Sequence, residues 1–590
     1  MNPLFSQRIL SKITHKLVKN EQNIVVFAIF SSIFLFGLAG LSDIWDFFHH
    51  PLVVTGNLAI WWTWLNQHWQ EKLYQFAKFL LSTSAILALI LAYLRQSGAY
   101  LDELRARLFL RNHTIIAGMN QRSIILAADL AHQGQSVVII TLDSKYDETL
   151  EIRKTGVCVL QGDATNPAVL RSAGFQHARN FVCITNQDDI NIAMLEAARI
   201  LLDQHAATQK PTCFCHIQSP LLRNHLEQLT IMGAQGAGHR FRLFSIEENT
   251  ASELLRRFPP ERHLALEQQA EGVHVAFLGR TELAFMLALQ MAQSCHYWRA
   301  DYQAQTMPRA RLTIISSDAE KLLTSIRQLC PAIDNVLIIE AVTEAPDDYS
   351  ILSAWINAQG KQLSQFYVGL ADEITTLASA GQILKLLKNQ GLDKPGKVVA
   401  VMPLRPHPIK PRFWGVDANL AVLETLKSCQ SDVLLSGVND TLAQIAHQDY
   451  LDQALRNGKQ LGERPALAAW DDLNEFLRAG TRQQIAHINI KLRALGWGLV
   501  KQHAADRDQF LAAISAEQLE QIAEMEHRRW WAFHLIHGWT YAPKRDDSNL
   551  HHDCLLPYQQ LSEQVKQYDR STVQNIPELC RKAGNGLRRL

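Results

Sequence analysis

Hydrophobic positions along this chain change period twice, and each change marks a new kind of element. Residues 23–42 (NIVVFAIFSSIFLFGLAGLS) and 79–94 (FLLSTSAILALILAYL) are dominated by apolar side chains and carry no charge. A bilayer crossing takes ~20 apolar residues and tolerates ~17, so these runs predict a transmembrane helical hairpin within residues 1–100, with spans at about 23–42 and 78–94. A secretory signal does not fit the first run. It is too long, it lacks a small-residue cleavage site, and a second apolar segment follows it.

After residue 110 the apolar runs shorten to strand length and alternate with helical spacing. Residues 113–118 (HTIIAG) predict a buried strand, 121–133 a helix with Ile124, Ile125, Ala128 and Leu130 for packing, and 136–142 a second strand ending in Asp143. Strand, turn, helix, strand and acid recur in residues 272–278 (GVHVAFL), a turn from Gly279 to Ala284, an apolar helix to Met291, residues 311–316 (RLTIIS) and Asp318. Further strands are expected at 335–340, 365–369 and 397–402, before a proline-rich connector at 403–411. Beyond about residue 434 helical spacing takes over. A helix is predicted at 440–452, another at 481–495 carrying Arg482, His487 and Lys491, and a long amphipathic one at 517–537 that ends at Gly538. The predicted fold class is therefore α/β plus α: the two-span hairpin, tandem Rossmann-like domains at 111–255 and 270–430, and an α-helical part at 435–590.

Charge orients the hairpin. Arg8, Lys12, Lys16 and Lys19 precede the first span and Arg95, Arg105, Arg107 and Arg111 follow the second, so both termini are expected in the cytoplasm. Trp45, Trp61, Trp62, Trp64 and Trp69 crowd the connecting loop, as an interfacial aromatic belt or a re-entrant segment does. Over the whole chain Lys+Arg 58 against Asp+Glu 57 leaves +1, which removes the positive field that nucleic-acid binding needs. The nine cysteines lack the spacing of a disulfide framework or zinc site. Cys213, Cys215 and His216 could ligate a metal, but small thiols on a buried strand are ordinary core, and no metal is expected.

In a dinucleotide site, turn glycines let backbone amides approach a pyrophosphate at a helix N-terminus, and an acid about 20 residues on holds a ribose. Here the turn is Gly118-Met119-Asn120-Gln121-Arg122-Ser123, in which Asn120 tolerates positive φ and Ser123 is small. Residues 159–165 (VLQGDAT), Val169-Leu170, Ala173-Gly174, 181–185 (FVCIT), Asp188-Asp189 and Asn191 follow. With these, the stretch from about Arg111 to Thr250 resembles the RCK or TrkA N-terminal domain. That resemblance implies a cytosolic Rossmann-like module that regulates potassium channels and transporters and, in many members, binds NAD or an adenine nucleotide. It would place Gly118 and Asn120 under the phosphates, Asp143 on a ribose, and Asp163 and Thr165 beside the adenine. A purely architectural Rossmann unit is the alternative. In the second copy Arg280 and Glu282 stand where backbone would meet phosphate, which favours duplication without a ligand.

Near the carboxyl end, His527, Trp530 and His534 share a helix face, and Trp539 and Tyr541 alternate just past it. Two readings fit these rings. They are core residues with Arg529 and Arg545 snorkelling or pairing with Asp546 and Asp569, or they form a slot for a planar base with arginines for its phosphate. The succession Glu526-His527-Arg528-Arg529-Trp530, Gly538-Trp539-Thr540-Tyr541, Arg545-Asp546-Asp547, Leu556-Pro557-Tyr558, Lys566 and Asp569-Arg570 resembles the RyR domain, found in ryanodine receptors and in bacterial proteins. The resemblance implies a small helical, regulatory, ligand-binding module. Its expected ligand residues are His527, Arg529, Trp530, Trp539, Tyr541, Arg545, Asp546, Tyr558 and Arg570. The chain departs from the pattern at His551-His552-Asp553 and at Ala542.

No nucleophile elbow, P-loop lysine or HExxH occurs, so no catalytic residues are assigned and no enzyme is expected. The expectation is a nucleotide-sensing regulator or effector in a bacterial inner membrane, a homo-oligomer because two spans cannot enclose a pore alone. Its partners would be the lipid bilayer and a small nucleotide. The loop between the spans has no TVGYG-like filter, which disfavours a potassium pore of that design. The alternative is a membrane-tethered interaction scaffold without a ligand.

Overall fold

The computed structural model describes residues 98–142, 151–204, 210–223, 225–226, 240–264, 272–298, 307–343, 349–403, 419–435, 440–456, 458–501 and 507–590. The predicted hairpin lies outside the described residues, as do its orientation, Asp143 and nearly all of the proline-rich connector. Among the described residues no helix is long and apolar enough to cross a membrane. The described residues form two compact units, one running through Ile115 with Ala131–Arg179, the other Ile116–Leu130 with Asn180–Leu590. Strand β1 (His113–Ala117) and helix α2 (Gln121–His132), which follows α1 (Gly98–Leu108), cross the division.

In the first unit β2 (Val137–Thr141) and β3 (Cys158–Gln161) run parallel, from Val138 opposite Cys158 to Thr141 opposite Gln161. The sequence VVIIT is buried throughout, as β-branched residues in a sheet covered on both faces are. Helix α3 (Pro167–Ser172) opens with proline at its first turn and Asn166 accepting from Ala168 N (2.9 Å), both normal start signals. Asp102 on α1 accepts from Arg153 Nε (2.8 Å) and Val159 N (3.1 Å), fastening α1 to β3.

In the second unit β4 (Ala178–Cys183), β5 (Thr212–His216) and β6 (Arg240–Phe244) pair in parallel. Helices α4 (Asp188–Gln204) and α5 (Ile246–Arg257) follow β4 and β6. A second parallel sheet then forms from β7 (His274–Gly279), β8 (Ala310–Ser316), β9 (Leu337–Thr343), β10 (Gln365–Gly369), β11 (Val398–Met402) and β12 (Leu420–Glu424). Its order, β9-β8-β7-β10-β11-β12, repeats the runs β3-β2-β1 and β4-β5-β6 of the first copy. Both sheets are Rossmann-like. Helix α6 (Thr281–Ser294) after β7 is buried at every position from Leu283 to Gln293. Such a helix is apolar all round because it has neighbours all round, and α6 packs on α5 and on the long helix near the carboxyl end. Helices α7 (Ala319–Leu329), α8 (Tyr349–Gln359) and α9 (Glu373–Lys388) complete the layer.

The helical part holds α10 (Asp440–Arg456), α11 (Glu475–Ala486), α12 (Ile488–Ala494), α13 (Ala516–Ile536), α14 (Glu563–Gln574) and α15 (Ile576–Lys582). The single helix expected at 481–495 is two, joined at His487, whose ring is fully enclosed by the fold. Helix α13 starts in a capping box between Ser515 and Gln518 and stops where Gly538 takes φ 80°. Short strands β13 (Trp497–Lys501) and β16 (Asn585–Arg589) pair antiparallel, and β14 (Thr540–Tyr541) pairs parallel with β15 (His551–His552).

Candidate functional site

The turn after β1 is fixed by its own sequence. Gly118 takes φ 103°, and a Cβ there would stand 2.7 Å from Thr185 Cγ2, because Ile184 N bonds Ala117 O and draws the two strands together. Only glycine meets both demands. Asn120 then does the capping that a glycine-rich loop leaves to a ligand. Its Oδ1 accepts from Ser123 N (3.1 Å), its Nδ2 donates to Ile184 O (2.6 Å), and Ser123 Oγ donates to Asn120 O (2.7 Å).

Three helices present their N-termini at the carboxyl ends of the strands: α2 after β1, α4 after β4 and α5 after β6. Asn191 on α4 is fully buried and ties the strand ends, accepting from Thr185 N (2.9 Å) and donating to His216 O (3.0 Å). Asp188 accepts from Gln218 N (2.7 Å) and Ser219 N (2.9 Å). Arg122, in the first turn of α2, extends to His216 Nε2 (3.3 Å) and to Glu247 (3.6 Å) on α5. Burial opposes ionisation of Glu247, but His216 and Arg122 outweigh it and hold the carboxyl down to about 2. The site is thus an edge of aligned helix dipoles crossed by one guanidinium, suited to an anion that competes with Glu247 for Arg122.

Of the residues expected around a nucleotide, Gly118 and Asn120 lie in this turn. Asp163 and Thr165 belong to the first unit, where Asp163 Oδ1 accepts from Thr165 N (2.9 Å) and Oγ1 (2.7 Å). Arg122, Asn191, His216 and Glu247 were missed. Cys213 and Cys215 are core, with burial pushing the Cys213 thiol up, and strand alternation turns His216 to the opposite face. Among the described residues His552, Asp553 and Cys554 bring ligand-type atoms within 4.8 Å, but His552 Nδ1 already accepts the Cys554 amide (3.0 Å).

The residues expected to bind in the helical part divide in two. His527 is buried, its Nε2 against Leu556 O (2.7 Å), and burial lowers its pKa to about 4. Its ring stacks on Trp530 (5.7 Å, 26°) and lies 5.8 Å from that of Tyr558. Arg529 is buried with Glu526 (2.9 Å), which Lys491 also contacts (2.5 Å), so this guanidinium serves an internal ion cluster. Trp539 is only 3% exposed and stacks on Phe476 (5.6 Å, 19°). Tyr541 is half exposed, and the half-buried Arg570 holds Glu520 (2.6 Å) and Glu563 (2.9 Å). The expected Arg545–Asp546 pair gives way to another. Arg545 binds Asp547 (2.6 Å), because Asp546 caps the next turn through Ser548 N (3.0 Å).

Residues 114–232 match the TrkA-N domain family and residues 510–588 the RyR domain family. Over 143 residues the chain is 31% identical to the Trk system potassium uptake protein TrkA of Vibrio alginolyticus, covering 24% of this chain and 29% of that protein. The chain therefore spans less than a third of that relative. Among solved structures, GsuK bound to ADP aligns with TM-score 0.34 and 14% identity over 65% of this chain and 83% of its own. The GsuK channel bound to NAD aligns with TM-score 0.35 and 13% identity over 63% and 74%. Likeness at that level carries no weight for function.

Proposed function

We propose, for a chain that carries a TrkA-N domain at 114–232 and an RyR domain at 510–588, a membrane-anchored regulator that senses a nucleotide and controls an oligomeric two-span membrane segment. The observation that carries this reading is the Gly118 turn, a left-handed glycine ahead of a helix N-terminus at the carboxyl edge of a parallel sheet. NAD or an adenine nucleotide is the ligand class. Its phosphates sit against Gly118 and Asn120, a placement that the TrkA-N match at 114–232 supports. In the RyR part the residues left for a ligand are Trp530, Tyr541, Arg545 and Arg570, since His527, Arg529, Trp539 and Tyr558 are buried. The name of the TrkA relative supports potassium as the ion whose flux responds. The protein is non-catalytic and lies in the bacterial inner membrane with both termini in the cytoplasm. A ligand acts in this way only through differential affinity for two states, typically worth ~1 to 3 kcal/mol.

The scaffold reading keeps one specific support: Asn120 and Ser123 close the turn on themselves, and Trp539 fills core. Calorimetry of the full-length protein against NAD, NADH, ATP, ADP-ribose and cyclic nucleotides decides between them. Sensing requires heat of binding that Gly118→Val removes, together with ligand-dependent potassium flux in liposomes. Silence across the panel favours the scaffold.

A further inference from the structure

Phe476, the residue stacked on Trp539, also lines a cavity of about 520 Å³. That volume falls in the range of small-molecule sites, ~300 to 1,000 Å³. The cavity is bounded by α4, β5, β6, α5 and α6 of the Rossmann-like parts and by α11 and α13 of the helical part. Phe214, Phe476 and Phe533 give it aromatic walls. Arginines enter with their planes fixed by carboxylates: Arg223 pairs with Glu248, Arg256 with Glu253 (2.7 Å) and Arg482 with Glu475 (2.5 Å). Arg242 lies 5.7 Å over the ring of Phe214.

Two further groups point to an occupant. Gln293 on α6 is 5% exposed, lines the cavity, and its Oε1 has no hydrogen-bond partner among the described residues. Asn249 on α5 also lines it, and its buried Nδ2 likewise has none. A buried acceptor and a buried donor left open each cost stability, which a ligand offering the complementary pair recovers. Flat apolar walls, an open amide acceptor and donor, and positioned guanidinium groups together select a planar hydrogen-bonding ring with an anionic tail.

We propose that this cavity is a second ligand site, distinct from the β1 turn, that takes a mononucleotide-class molecule and clamps α5 and α6 to α11 and α13. The ring lies between the phenylalanines with its edge on Asn249 and Gln293, and the phosphate meets the arginines. Binding stiffens the junction between the Rossmann-like and RyR parts. The site does not need the nucleotide assignment at Gly118.

The test is hydrogen exchange with mass spectrometry on the full-length protein with millimolar AMP, with adenosine and inorganic phosphate as separate arms. AMP is expected to protect 248–256, 286–293 and 475–486 together, and either fragment alone to protect them several-fold less. Ala479→Trp, which fills the cavity, should abolish the protection. Ser252→Trp, at a more exposed wall position, should weaken AMP at least tenfold with an unchanged thermal midpoint, which separates occlusion from misfolding. Gly118→Val should leave these segments' response intact while removing any ligand response at residues 116–123. Protection confined to the β1 turn, equal protection by phosphate alone, no protection with AMP, or protection surviving both tryptophan variants overturns the proposal.

Discussion

The two strand-turn-helix copies share strand succession yet differ in what surrounds the helix. In the first, α2 buries one stripe, Ser123, Leu126, Ala127 and Leu130, and leaves the turn partly open. In the second, α6 is enclosed on every side, and Arg280 N bonds back to Gly369 O (3.0 Å). A helix with neighbours all round serves the molecule as its central beam, whereas one with a free side keeps its N-terminus for a ligand. Duplication supplied the architecture, and burial divided the work.

The largest expected effect follows from that enclosure. Leu287→Ala on α6 should lower stability by about 2–5 kcal/mol, against less than about 1 for Ile125→Ala on the half-buried flank of α2. Denaturant midpoints of the full-length protein check this, and equal shifts would erase the contrast. Next, acid should affect the first copy through Glu247. Its carboxyl is depressed from 4.5 to about 2, so its contribution is complete above pH ~4.5 and is lost as pH falls toward 2. In Arg122→Gln that acid-dependent loss should shrink, as a pH series of thermal midpoints would record. Among the described residues the second copy has no counterpart, since a 3-10 turn (Thr425–Cys429) follows β12 where α5 follows β6. A smaller effect is expected from Gly118→Ala. Positive φ and the Thr185 methyl should together cost about 1–3 kcal/mol, visible as a lowered midpoint, whereas Gly391→Ala, also at positive φ but with open space, should cost less. Equal costs would show that the close approach to β4 does not matter.

Central strands were legible because largely apolar runs such as VVIIT and HVAFLG belong to sheets buried on both faces. Strands β6 (RFRLF) and β12 (LAVLE) escaped: both lie at sheet edges, β6 is interrupted by Arg240 and Arg242, and the apolar run of β12 is only four residues long. The break at His487 has no glycine or proline to announce it and arises from tertiary enclosure. In the site, Gly118 was legible because a backbone demand is local. The pairing of Arg122 with His216 was not, since the two meet across 94 residues and no local spacing links the turn to the strand that carries His216. Arg545 was matched with its neighbour Asp546, which the following backbone amides claim first.

The measurement that bears most directly on the account is a calorimetric titration of the full-length protein with NAD, run in parallel on Gly118→Val. The account predicts saturable binding to the native chain and at least a tenfold loss in the variant, with folding retained by circular dichroism. Binding of equal strength to both proteins, or to neither, would contradict it.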